Sequence, residues 1–116
     1  MTTVRMIYDW LDGWAPFAAA MSFDNAGLLA GSGEESVSAA LLALDITPAV
    51  VEEAKEAGAQ LIVSHHPVIF DPLRRLVPGS APYLLCEAGI AAICAHTNVF
   101  SVLSPGIRYQ ISVFII

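Results

Sequence analysis

Apolar residues gather in three short blocks: Ser36–Ile46 (SVSAALLALDI), Ala59–Ser64 (AQLIVS) and Ile90–Ala95 (IAAICA). Each is nearly continuous rather than alternating. That pattern predicts strands covered on both faces, as in a parallel sheet. The blocks end in polar residues. Asp45 and Thr47 close the first, His65 and His66 follow the second, and His96, Thr97 and Asn98 follow the third.

Helical spacing fills the gaps. Val4, Ile7, Tyr8 and Leu11 recur at helix period, with Thr2 or Thr3 as cap and Asp12-Gly13 as the expected end. Thr47-Pro48 opens a second helix, the threonine as cap and the proline in the first turn. Val50, Val51, Ala54 and Ala57 line its apolar face, Glu52, Glu53, Lys55 and Glu56 the other, and Gly58 ends it. Ser80–Ala88 is a third helix, stopped by Gly89. Strand, helix, strand over some thirty residues is a βαβ unit with a parallel pair. The expected fold is α/β: βαβ units, a largely parallel sheet and flanking helices. In such sheets the carboxyl ends of the strands form the ligand crevice. Here the polar residues of all three strands fall at that end.

Between the first helix and the first block lies FDNAGLLAGSG (Phe23–Gly33). Asp24 and Asn25 favour a turn. The glycine spacing fits neither GxGxxG nor GxxxxGK[ST], so a strand and turn is expected in place of a phosphate loop. After Asn98 the character changes. VFSVLSPGIRYQISVFII carries no acid and ends in a β-branched run, with a strand expected at Tyr109–Ile116.

Composition narrows the function. Of 116 residues, 56% are hydrophobic and 14% charged, more apolar material than one small domain's interior calls for. Cover by another subunit or by further chain is expected. The net charge of −6 and the lack of a Lys/Arg cluster exclude nucleic-acid binding through a basic face. Pro, Gly or charge interrupts every candidate membrane span. No basic start precedes an apolar core at the N-terminus. A cytoplasmic location is the expectation. Cys86 and Cys94 form no CxxC motif and are expected as buried structural thiols.

The chemistry centres on His65-His66. Neutral imidazole suits zinc, iron, nickel or copper. Adjacent residues of a strand point to opposite faces, so neighbouring histidines do not readily chelate one ion. They can serve two ions a few ångströms apart if the backbone turns there, as Pro67 favours. His96 is expected in support, bonding a substrate or orienting a neighbour. Asp45 is placed either to accept from an imidazole N–H or to cap the helix after Pro48, and capping is the expectation. Nothing marks Ser64 as a nucleophile, and no GxSxG elbow occurs.

Three segments carry a resemblance: FDNAGLLAG (Phe23–Gly31), LDITPAVVEEAKEAGAQLIVSHHPVIFDPLRRL (Leu44–Leu76) and AHTN (Ala95–Asn98). In order and spacing the chain resembles the N-terminal half of the Nif-three-like dinuclear metal centre family, also called GTP cyclohydrolase I type 2 homologues. Residues 1–98 are expected as that part, and 99–116 as an atypical apolar tail. The resemblance implies a toroidal hexamer and two divalent ions per subunit (zinc, iron, manganese or nickel). His65 and His66 would each serve one ion. It also implies an aspartate where this chain has Phe100, and a distant His and Glu beyond the part matched. No acid follows Glu87. The site is therefore expected to be incomplete here, in an incomplete domain. The functional expectation is divalent metal binding. The alternatives are a metal-dependent hydrolase of the cyclohydrolase type and an inactive fragment.

Overall fold

The computed structural model describes residues 1–101. The expected strand at Tyr109–Ile116 lies outside them. Four short strands form one sheet: β1 (Gly27–Ala30), β2 (Ala40–Ala43), β3 (Leu61–Ser64) and β4 (Ala91–Cys94), in the order β1-β4-β3-β2. β2 pairs parallel to β3, and β3 parallel to β4. Helices α2 (Pro48–Glu56) and α3 (Ala81–Ala88) connect them, giving two consecutive βαβ units. The α/β fold with a largely parallel sheet is thus as expected. The FDNAGLLAG segment supplies β1, which joins β4 antiparallel with an irregularity between Leu28 and Ala30.

Side chains alternate across the central strands. Ile62 and Ala92 face one layer, where Val51, Ala54, Ala81 and Leu85 bring α2 and α3 onto the sheet. Leu61, Ala91 and Ile93 face the other, covered by Val4, Ile7, Tyr8 and Leu11 of α1 (Val4–Trp14). β4 is buried along its length and β3 at all but the half-buried Val63, which explains their unbroken apolar sequence.

The caps follow the sequence. Thr3 Oγ1 accepts from Met6 N at 3.3 Å, and Thr47 Oγ1 accepts from Val50 N at 3.2 Å. Gly89 ends α3 with φ 66°, the left-handed cap glycine tolerates best. Gly31, at φ 101°, stands where a Cβ would come within 2.8 Å of Ala91 Cβ; the close passage of the chain beside β4 requires its bare backbone.

Three details differ from expectation. α1 runs through Asp12-Gly13 to Trp14, because Ala15 N–H still reaches Leu11 O at 2.7 Å, and Asp12 instead accepts from Phe17 N. β2 is only four residues long and is an edge strand, with Leu42 54% exposed. The layer on the α1 side takes its sheet residues from β1, β3 and β4, so nothing in it covers Leu42. Ala57 is exposed rather than on the apolar face of α2, since it sits past the last helical turn as the C-cap.

Candidate metal centre

Two parallel strands, β3 and β4, stop side by side, and the sheet hydrogen bonding continues one step beyond them. His65 N donates to Ala43 O, His66 N to Leu44 O, and Ala95 N to Ser64 O. His65, His66 and His96 thus emerge at one edge, the carboxyl end of the parallel strands. The opposite-face rule ceases to hold at His65-His66 because β3 ends at Ser64. Ser64 Oγ then donates to His66 O at 2.8 Å, which helps hold the bend. The two rings approach to 5.2 Å between centroids.

His96 joins them. Its ring centroid lies 4.8 Å from that of His65 and 5.6 Å from that of His66. One ring nitrogen from each of the three lies within 4.8 Å of the others. Of the two places open to Asp45, it takes that of imidazole partner rather than helix cap. Thr47 caps α2, and Asp45 Oδ1 meets His66 Nδ1 at 2.8 Å.

All three imidazoles are held at the same atom. His65 Nδ1 meets Ala95 O at 3.1 Å, His66 Nδ1 meets Asp45 Oδ1, and His96 Nδ1 meets Asp24 Oδ1 at 3.0 Å. A carbonyl and two carboxylates can only accept, so each Nδ1 carries its proton and donates. In the neutral ring that leaves the Nε2 lone pair for another partner. A second ring nitrogen bound to a carboxylate or carbonyl is the usual support of a metal-ligating histidine. The donor set therefore fits a borderline divalent ion such as zinc, iron or nickel better than magnesium.

Asp24 is the residue that sequence reasoning missed. Its side chain has 0% exposure, 72 residues before its partner His96. Oδ2 accepts from Thr97 N at 2.9 Å and from Thr97 Oγ1 at 2.6 Å, and Oδ1 also accepts from Asn25 N. Burial pushes this carboxyl up. The hydrogen bonds from the Thr97 hydroxyl and N–H, from His96 and from Asn25 outweigh it and hold the group below the ordinary carboxylate range. It is an anion at neutral pH. The Asp-Asn turn was legible, but the turn alone accounted for both residues, and the long-range partner left no local trace.

His65, the most buried of the three, is held below the usual histidine value by burial and by repulsion from His96 and His66, against the pull of the Ala95 carbonyl and Asp24. A neutral ring at pH 7 is the form that ligates. Cys94 is close but unsuited. Burial first, then Asp24, pushes its thiol up to about 12, and it donates to His65 O. It is a structural thiol, as expected, whereas Cys86 on the outer side of α3 is exposed. Phe100 packs its ring beside His65 and His96, at 6.3 and 6.4 Å between centroids.

A three-layer α/β domain with imidazoles gathered at the carboxyl ends of its parallel strands is the class that fold and site define. The comparisons with known proteins are more particular. The chain belongs to the Duf34/NIF3 (NGG1p interacting factor 3) family, whose model matches residues 2–114. It is 42% identical over 92 residues to a Staphylococcus aureus protein named GTP cyclohydrolase 1 type 2 homolog, covering 77% of this chain and 25% of that one. It is 36% identical over 102 residues to the Helicobacter pylori GTP cyclohydrolase 1 type 2, covering 84% and 41%. A Staphylococcus aureus crystal structure superposes with TM-score 0.81 at 39% identity, over 84% of this chain and 33% of that one. A Bacillus cereus protein related to NIF3 gives TM-score 0.77 at 35% identity, over 84% and 28%. The chain thus spans between a quarter and about two-fifths of the length of these relatives.

Proposed function

We propose that this chain is a divalent metal-binding protein and that His65 and His66 are ligands. The observation that carries the reading is the common orientation of the imidazoles, each with Nδ1–H tied back to an acceptor. Such tethering fixes tautomer and direction before any ion arrives, which lowers the ordering cost of binding. Zinc, iron, manganese and nickel are the candidate ions, and imidazole favours the later members of the first row.

A metal-dependent hydrolase is the second reading, favoured by the names of the relatives. A bound ion would lower the pKa of a water. This chain's own contribution is to hold Asp24 ionised beside His96, so that the imidazole can accept and return a proton without leaving its place. A homo-oligomer in the cytoplasm completes the proposal. Exposed Met6, Trp10 and Trp14 on α1 supply apolar surface for association, and no helix among the described residues is long and apolar enough to cross a membrane.

Metal analysis of chain purified without added metal, then dialysed against zinc, tests the reading. Bound zinc that His66→Ala removes supports it; a folded chain that binds none overturns it. GTP turnover by the zinc-loaded chain separates the two readings, since its absence leaves metal binding without hydrolysis.

A further inference from the structure

We propose that the outer edge of β2 is a docking surface for this chain's own segment Tyr109–Ile116, which adds to it as an antiparallel strand. The inference concerns the opposite edge of the sheet from β1 and does not depend on metal.

The edge itself is the first observation. Among the described residues β2 has a partner strand on one side only, β3. Ala43 O accepts from His65 N, so Ala43 faces β3 and the alternation of the strand turns the N–H and C=O of Leu42 outward. An open edge of this kind is a template for a further strand. Beside it, Leu41 and Ala43 of the strand and Val50 of α2 line a groove, with the acids Asp45 and Glu53 among its walls. At the other edge of the sheet, by contrast, Leu28 of β1 already packs under α1.

The occupant follows from sequence and reach. YQISVFII alternates so that Tyr109, Ile111, Val113 and Ile115 share one face, and the other opens with Gln110 and Ser112. The apolar face suits the groove under α2, and the polar start suits the uncovered side of the sheet where Leu42 stands. Phe100 lies beside His65 and His96, which puts the start of the tail at the carboxyl end of the parallel strands. From β4 to a position outside β2 is three strand spacings, roughly 14 Å. Residues 102–108 span at most about 25 Å when extended. They include Pro105-Gly106, a turn signal that suits reversal of the chain. Entry from that end makes the new strand antiparallel to β2, a common edge on a parallel sheet. Arg108 is the one charged residue of the tail, and it enters on the side of Asp45 and Glu53.

Amide exchange and nuclear Overhauser contacts in the isotope-labelled full chain test the pairing. The Leu42 N–H is expected to exchange slowly and to show backbone contacts with residues 109–116. Ile111→Pro and Ser112→Pro, made separately, remove successive N–H groups, one of which faces β2 in either register. One of the two should free the Leu42 amide while those of Ile62 and Ile93 stay protected. The contacts in the unaltered chain decide even where a proline variant fails to fold. In a mixture of two differently labelled preparations, unfolded and refolded together, the contacts are expected within single copies. Contacts only between copies would put a second chain's strand on the edge and overturn the intramolecular pairing. A fast-exchanging Leu42 amide without tail contacts overturns the docking surface altogether.

Discussion

At the scale of single residues, the site depends on what stands behind each imidazole. Asp24 is the strongest case, since its carboxylate is buried and joins His96 to both donors of Thr97. Asp24→Asn keeps the shape but removes the anion. It is expected to weaken zinc binding by about 10–100-fold, read by competition with a chromophoric chelator. The exposed Asp45, replaced the same way, should cost less, because its hydrogen bond with His66 is open to solvent. Legibility was uneven here. The His65-His66 pair stood out because two adjacent histidines after an apolar run are rare. Asp24 could be read only as a turn residue, because His96 and Thr97 lie more than seventy positions away. Asp45 presented two local options, and the outcome turned on Thr47 taking the cap.

At the scale of elements, the apolar blocks located the three parallel strands and their polar ends, while their lengths and edges came from packing. Ser36–Ile46 looks like a buried strand, yet Ala40–Ala43 is the part that forms β2, and Leu42 faces out because, among the described residues, the layer on that side does not reach it. The energetic contrast is testable. Leu85, fully buried between α3 and the sheet, should cost about 2–5 kcal/mol as Leu85→Ala. Leu42→Ala should stay within about 0.5 kcal/mol in the monomeric chain. Urea midpoints compare the two. The turn after β1 offers a pH test. Burial pushes the Glu35 carboxyl up, but the N–H groups of Ser32, Glu35 itself and Gly33, with the Ser32 hydroxyl, outweigh it and hold it below its ordinary 4.5. Stability from a depressed carboxyl is fully present above the unfolded-state value and is lost as pH falls through the folded-state value. Glu35→Gln should therefore cost about 1 kcal/mol at pH 7. The gap to the unaltered protein should close as the pH is lowered below 4.5.

At the scale of the whole molecule, the sheet order explains how the site forms at all. β1 comes first in sequence but joins β4 on the far side, so the turn before it delivers Asp24 beneath His96. Nothing in the local pattern of FDNAGLLAG states which strand it will pair with, so that placement was not legible before the fold. Fold and cluster together make metal and stability interdependent, because an ion that binds only the folded chain stabilises it by mass action. At free zinc 100-fold above the dissociation constant the gain is about 2.7 kcal/mol. In a domain of this size that is a rise in Tm of roughly 10–20 °C. The most direct test is the thermal unfolding of the full chain with zinc and with excess chelator, alongside His65→Ala/His66→Ala. The account expects a zinc-dependent rise that chelator reverses and the double variant lacks. An unchanged Tm at saturating zinc, or the same rise in the double variant, would contradict it.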